Sequence, residues 1–182
     1  EQFGPYPYKS LVIAQNAYLP SVASGSFILH TGQGFEQYTG HPSTLLIVLV
    51  PQTMAKLWWG QIVGHNQISE PWLGAALPMY AEYLFHERYH PNLMAWYWES
   101  RINYWEPEGP VNQTVYGLET TTELLQNVYR QGAHFMNTLR DTIGPENFAA
   151  FLRDLYVHGS FRIITSDDFF NTLGRHIDQD LR

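Results

Sequence analysis

The sequence predicts an α+β fold, with short N-terminal strands followed by a mainly α-helical body. Three observations carry this. The first forty residues hold two β-rich runs, "KSLVIAQ" (9–15) and "SFILH" (26–30), bounded by Pro, Gly and Ser. After His41-Pro42 the character turns helical. The C-terminal third then sets Pro at the start and Gly at the end of amphipathic segments, the expected asymmetry of helix caps.

Taken in order, the helical elements follow from local chemistry. Pro51 suits a first helical turn, so a helix is expected from there to about Val63, with "LLIVLV" (45–50) as its lead-in or as a buried strand. A second helix covers Trp72 to Tyr89 and stops at Pro91. "NLMAWYWESRINYW" (92–105) carries aromatics at mixed spacing, as a mostly buried third helix would. "TTTELLQNVYRQGAHFMNTLRDTIG" (120–144) is amphipathic and ends at Gly144. "PENFAAFLRDLYVHG" (145–159) opens on Pro and closes on Gly, and "TSDDFFNTLGRHIDQDL" (165–181) offers Thr165 or Ser166 as an N-cap with acids in its first turn.

The composition narrows the function. With 182 residues the chain suits a single domain, residues 1–182, large enough for a real core. Hydrophobic residues at 45% against 15% charged exclude a disordered tail. A net charge of -7 argues against nucleic acid, whose phosphates need a basic face. There are no cysteines, which removes disulfides, thiolate catalysis and cysteine-based zinc sites without fixing a compartment. The most apolar run, Leu45 to Val50, is far too short to span a bilayer. The opening "EQFGPYPYKS" reads as that of an excised domain, so a soluble piece of a larger protein is expected. Asn112-Gln113-Thr114 is a formal glycosylation sequon of little weight.

His86-Glu87-Arg88-Tyr89-His90 fits H-E-x-x-H, the zinc-peptidase signature. A working copy needs both histidines on one helical face, one turn apart. Here His90 precedes Pro91 and is pushed out of the α region, while Arg88 places a cation beside the would-be metal. Glu106 and Glu108, the candidates for a third ligand, lie downstream beyond a stretch expected to be helical. An exposed, polar helix end is the favoured reading of this segment.

A longer pattern lies upstream. "AKLWWGQIVGHNQISEPWLGAALPMYAEYL" (55–84) resembles the core of the aminopeptidase N family of zinc metallopeptidases, H-E-x-x-H-x-W-x-G followed by W-L-N-E-G-x-x-x-Y-x-E. Trp58 and Gly60 match W-x-G, Trp72-Leu73 match W-L, and Tyr80 and Glu82 match Y-x-E. "FGPYPYKSL" (3–11) resembles the family's F-G-x-Y-P strand. "VYRQGAHFMNTLRDTIGPENFAAFLRDLY" (128–156) resembles its Y-x-K-G-A helix, the I-G-x-x-x-F after it and the next helix. The resemblance implies a thermolysin-like (gluzincin) catalytic-domain fold.

The same resemblance places the family's first His on Gln52, its general-base Glu on Thr53, its second His on Lys56 and its third ligand on Ala75. None of these can replace the original: charged Lys offers no lone pair and Ala no donor atom. No glutamate stands in "SGSFIL" (24–29), where the family's G-x-M-E-N segment should lie. Glu82 matches the carboxylate that orients a ligand histidine, and Tyr129 the tyrosine that stabilises the oxyanion, with Gln131 in place of the neighbouring Lys. Lys56 is expected to take the vacated cation position and pair with Glu82.

The leading expectation is therefore a catalytically inactive homologue of a zinc aminopeptidase domain. It would hold no cofactor, with Tyr129 and Glu82 vestigial and a cleft that binds a peptide or protein or is merely structural. The alternative is a hydrolase with a relocated zinc site at His86, Glu87 and His90. His65 lies between the motif helices and reads as a solvated loop residue. A serine hydrolase has little support, since no G-x-S-x-G occurs and Ser24 and Ser26 sit in a Gly/Ser turn. Trp96, Tyr97, Trp98, Tyr104 and Trp105 read as packed core in preference to a ligand groove.

Overall fold

The computed structural model describes residues 3–17 and 21–177. The chain opens with three short strands, β1 (Val12–Asn16), β2 (Val22–Ser24) and β3 (Phe27–Thr31). They form one sheet in the order β1-β3-β2, with β1 parallel and β2 antiparallel to β3. Ile28 and His30 are buried on one face, as the two-residue period of a strand requires. The two expected β-runs are thus β1 and β3, and β2 is an addition between them in sequence.

A short turn of helix, α1 (Gly32–Glu36), leads to α2 (Leu45–Ala55). Here the sequence expectation is corrected. "LLIVLV" is helical, Pro51 lies inside the helix, and α2 ends at Ala55 well before Val63. The reason is that this run is apolar on every side and carries no period to separate helix from strand. Strand β4 (Val63–His65) follows, then a 3₁₀ turn at Pro71–Gly74 and helix α3 (Ala76–Tyr89).

Helix α3 is the spine of the molecule. Leu77, Met79, Tyr80, Ala81, Tyr83 and Leu84 are all buried, because α2 covers one side and the C-terminal helices the other. The aromatic segment after it is not one regular helix. A 3₁₀ turn (Pro91–Leu93), α4 (Met94–Trp96), a π-helical stretch (Tyr97–Ile102) and a second 3₁₀ turn (Asn103–Trp105) succeed one another. Tyr97 is core, and Trp96 and Trp98 pack against the core, but Tyr104 and Trp105 are exposed. The expectation of packed core holds for only part of that cluster.

After a 3₁₀ turn at Val115–Gly117, α5 (Thr121–Glu123) continues through a π-helical stretch (Leu124–Arg130) into α6 (Gln131–Ile143). Gly132 lets α6 approach α3 closely: a Cβ there would stand 2.6 Å from the Cβ of Ala76. Helix α7 (Pro145–Gly159), strand β5 (Arg162–Ile164) and α8 (Ser166–Leu173) complete the fold. Strand β5 runs parallel to β4, pairing Gly64 with Ile163. Thr165 caps α8 in a reciprocal box with Asp168, as the sequence suggested. The last expected helix, 165–181, is shorter than expected: α8 ends at Leu173 and residues 174–177 are turn and coil, while 178–181 lie outside the described residues. No helix among them is long and apolar enough to cross a membrane.

Candidate ligand cleft

A cleft of about 350 Å³ opens where the end of α2, the 60–67 segment, the 3₁₀ turn before α3 and the π-helical stretch before α6 meet β2. Lys56, Gln61, His65, Gln67 and Tyr129 give it its polar character, and Val22, Trp59 and Leu124 its apolar wall. The Lys56 ammonium sits 5.7 Å from the centroid of the Tyr129 ring, within cation–π range. Tyr129 comes from a π-helical turn, whose wider winding shifts side chains from the positions a regular α-helix would give them.

The other positions singled out from sequence sit elsewhere. Gln52, Thr53 and Ala75 are buried and do not line the cleft. Gln52 lies in the packing between α2 and α3, where its Nε2 donates to the sulfur of Met79 at 3.0 Å. His65 belongs to β4 and is not a solvated loop residue. Its imidazole lies so close over Gly74 that no side chain could stand there. Burial lowers the His65 pKa, and the charge of Glu70 offsets only part of that effect.

Glu82 is fully buried, and its partner is Arg101, not Lys56. Arg101 Nε donates to Glu82 Oε1 at 2.8 Å and Nη2 donates to Oε2 at 3.0 Å, a bidentate fork. Burial alone would lower the Arg101 pKa, but the Glu82 carboxylate outweighs it and the net shift is upward. The expected Lys56–Glu82 pair is therefore overturned. Lys56 faces the cleft, whereas the π-helical stretch carrying Arg101 brings its planar fork against α3. Arg101 is the one base within the run 94–105, but nothing in the sequence says which carboxylate it meets.

The HERYH segment also departs from its expected place. It is an exposed helix end only in part: Arg88 and Tyr89 are exposed, but His86 has 0% exposure and neither ring nitrogen has a hydrogen-bond partner among the described residues. Burial, helped by the charges of His90 and Arg101, pushes its pKa down to about 4. Glu87 accepts from Tyr83 Oη at 2.7 Å and from Arg140 Nη1 at 2.9 Å. His90 follows the last turn of α3 with φ -137° and ψ 51°, outside the helical region, as its place before proline requires. The two histidine rings lie 5.6 Å apart, centroid to centroid, and none of the five residues lines the cleft. Among the described residues, no three His, Asp or Glu side chains converge as a metal-binding group.

A family model described as the peptidase family M1 domain matches residues 37–182. The chain belongs to this family. Solved structures agree in fold with the M1 domain. The M1 zinc metallopeptidase from Deinococcus radiodurans superposes with a TM-score of 0.73 at 19% identity, covering 97% of this chain and 38% of that one. A mutant of it bound to a Tyr-Ser-Ala substrate gives 0.74 at 19%, covering 98% and 38%. A two-domain M1 zinc metallopeptidase mutant bound to L-arginine gives 0.75 at 20%, covering 96% and 38%. This M1 domain thus spans about 38% of the length of these chains. No curated protein matches the sequence.

Proposed function

We propose that this M1 domain binds a peptide or protein in its cleft and does not hydrolyse it. The donor set at the four positions that the aminopeptidase N resemblance assigns to catalysis carries this reading. Gln52 is committed to Met79, Lys56 is a cation, Thr53 is buried away from the cleft, and Ala75 has only a methyl group. Zinc, which the family implies, needs neutral imidazoles and a carboxylate around an open position, and these residues do not fit it. Peptide hydrolysis would then lack both the polarised carbonyl and the activated water on which that chemistry depends. Tyr129 still lines the cleft, but one hydroxyl leaves the water nucleophile unactivated.

The test is elemental analysis of the domain purified without a histidine tag, followed by a zinc titration by calorimetry and an assay on aminoacyl amides. The expected result is no tight equivalent of zinc and no release of amine above background. One tight equivalent with hydrolysis would overturn the reading. It would return attention to His86, Glu87 and His90, where substitutions would show whether a relocated site exists.

A further inference from the structure

The fixed charge on the walls of the cleft has one sign. Among the described residues Lys56 is the one charged group that lines it, and no carboxylate does. Among those residues, too, Lys56 forms no ion pair, its only charge contact being the ring of Tyr129. Glu70, whose charge acts on His65, does not line the cleft, and its Oε1 accepts from the backbone N–H of Ser166 at 2.6 Å. Gln61, Gln67, His65 and Tyr129 bring N–H and O–H donors to the same walls, and none of those side chains hydrogen-bonds within the described residues. Val22 and Leu124 supply an adjoining apolar surface, and the buried Trp59 backs it. A volume of about 350 Å³ lies at the small end of ligand pockets, which pair a few placed polar groups with an apolar lining.

We propose that the cleft recognises the C-terminal carboxylate of a peptide, with Lys56 as its counter-charge and the last side chain against Val22 and Leu124. The inference rests on the non-hydrolytic reading above and gives its ligand a chemical class. A protonated N-terminus would meet the Lys56 ammonium with no acid in the lining to offset the repulsion, so peptides that enter amine-first are disfavoured. A C-terminal carboxylate gains that charge, and its second oxygen and the preceding carbonyl can accept from the Gln61, Gln67 and Tyr129 donors.

Calorimetry with three probes tests this: N-acetyl-Ala-Leu with a free carboxylate, its C-terminal amide, and acetate alone. The acid is expected to bind at least tenfold more tightly than the amide and than acetate. Lys56→Gln is expected to lose that tenfold preference, and Lys56→Arg to keep most of it. The acid-versus-amide comparison needs no variant, so misfolding of a mutant leaves it intact. Equal binding of acid and amide, or no heat with the acid up to millimolar concentration, would overturn the assignment. Acetate binding as tightly as the acid would replace the peptide with a free small carboxylate and also overturn it. The non-hydrolytic reading fails separately, if mass spectrometry finds Ala-Leu-amide cleaved by the protein.

Discussion

At the scale of single residues, the most instructive group is Glu82, the carboxylate that lies fully buried on α3. A fully buried carboxylate needs a fixed counter-charge, and Arg101, with 18% of its side chain exposed, supplies it through two short bonds. Removing one partner should leave the other charge buried and alone. Arg101→Leu is expected to cost about 3–5 kcal/mol in urea unfolding, and the double variant Glu82→Leu/Arg101→Leu distinctly less than either single change. Equal losses in all three would show that the pair is incidental. This pairing also marks the limit of reading the site from sequence. The need of Glu82 for a cation was legible, since a carboxylate on a buried helix must be matched. Which cation meets it was not, because that depends on how a π-helical turn points one side chain.

Elements were read best where they carry their own punctuation. Helix α7 lies between Gly144 and Gly159 with Pro145 in its first turn, and α8 starts at a capping box, so both ends of α7 and the start of α8 were legible in chemical terms. Helix α2 was misread because an all-apolar run has no face. Strands β4 and β5 have three residues each, too few for alternation to register, and exist because they pair with one another. One element-level contact ties the motif segments together, the crossing of α6 over the start of α3 at Gly132 and Ala76. A methyl group at 132 would stand 2.6 Å from the Ala76 Cβ, and the tight partner on the other side is the helix backbone, at 3.0 Å. Gly132→Ala should therefore push the helices apart and destabilise by about 1–3 kcal/mol despite the better helix propensity of alanine. Thermal unfolding checks the sign: a raised Tm would mean that the crossing relaxes freely. Because Tyr129 is three residues before Gly132, the variant should also weaken binding in the cleft.

For the whole molecule, stability should depend on pH in a window set by His86. Its ring is enclosed by Phe85, Trp96 and Tyr97, with the His90 ring beside it, and the charges of His90 and Arg101 oppose its protonation. In the unfolded chain the imidazole takes up a proton near pH 6.5, whereas in the fold it does so only near about 4. The unfolded state thus binds more protons between these values, and stability rises with pH across the window. The His86 contribution is fully present above pH 6.5 and declines as the pH falls toward 4. At pH 4.5 the loss amounts to about 2–3 kcal/mol, a large part of the reserve of a domain this size. His86→Phe keeps an aromatic ring and removes the titration. The variant should lose clearly less stability than the parent between pH 7 and pH 4.5, measured as the shift in urea midpoint at unchanged slope. Parallel losses in the two proteins would place the acid sensitivity elsewhere. That result would also remove the reason to regard His86 as a buried structural residue, because a histidine that titrates normally must reach water or a partner in the folded state.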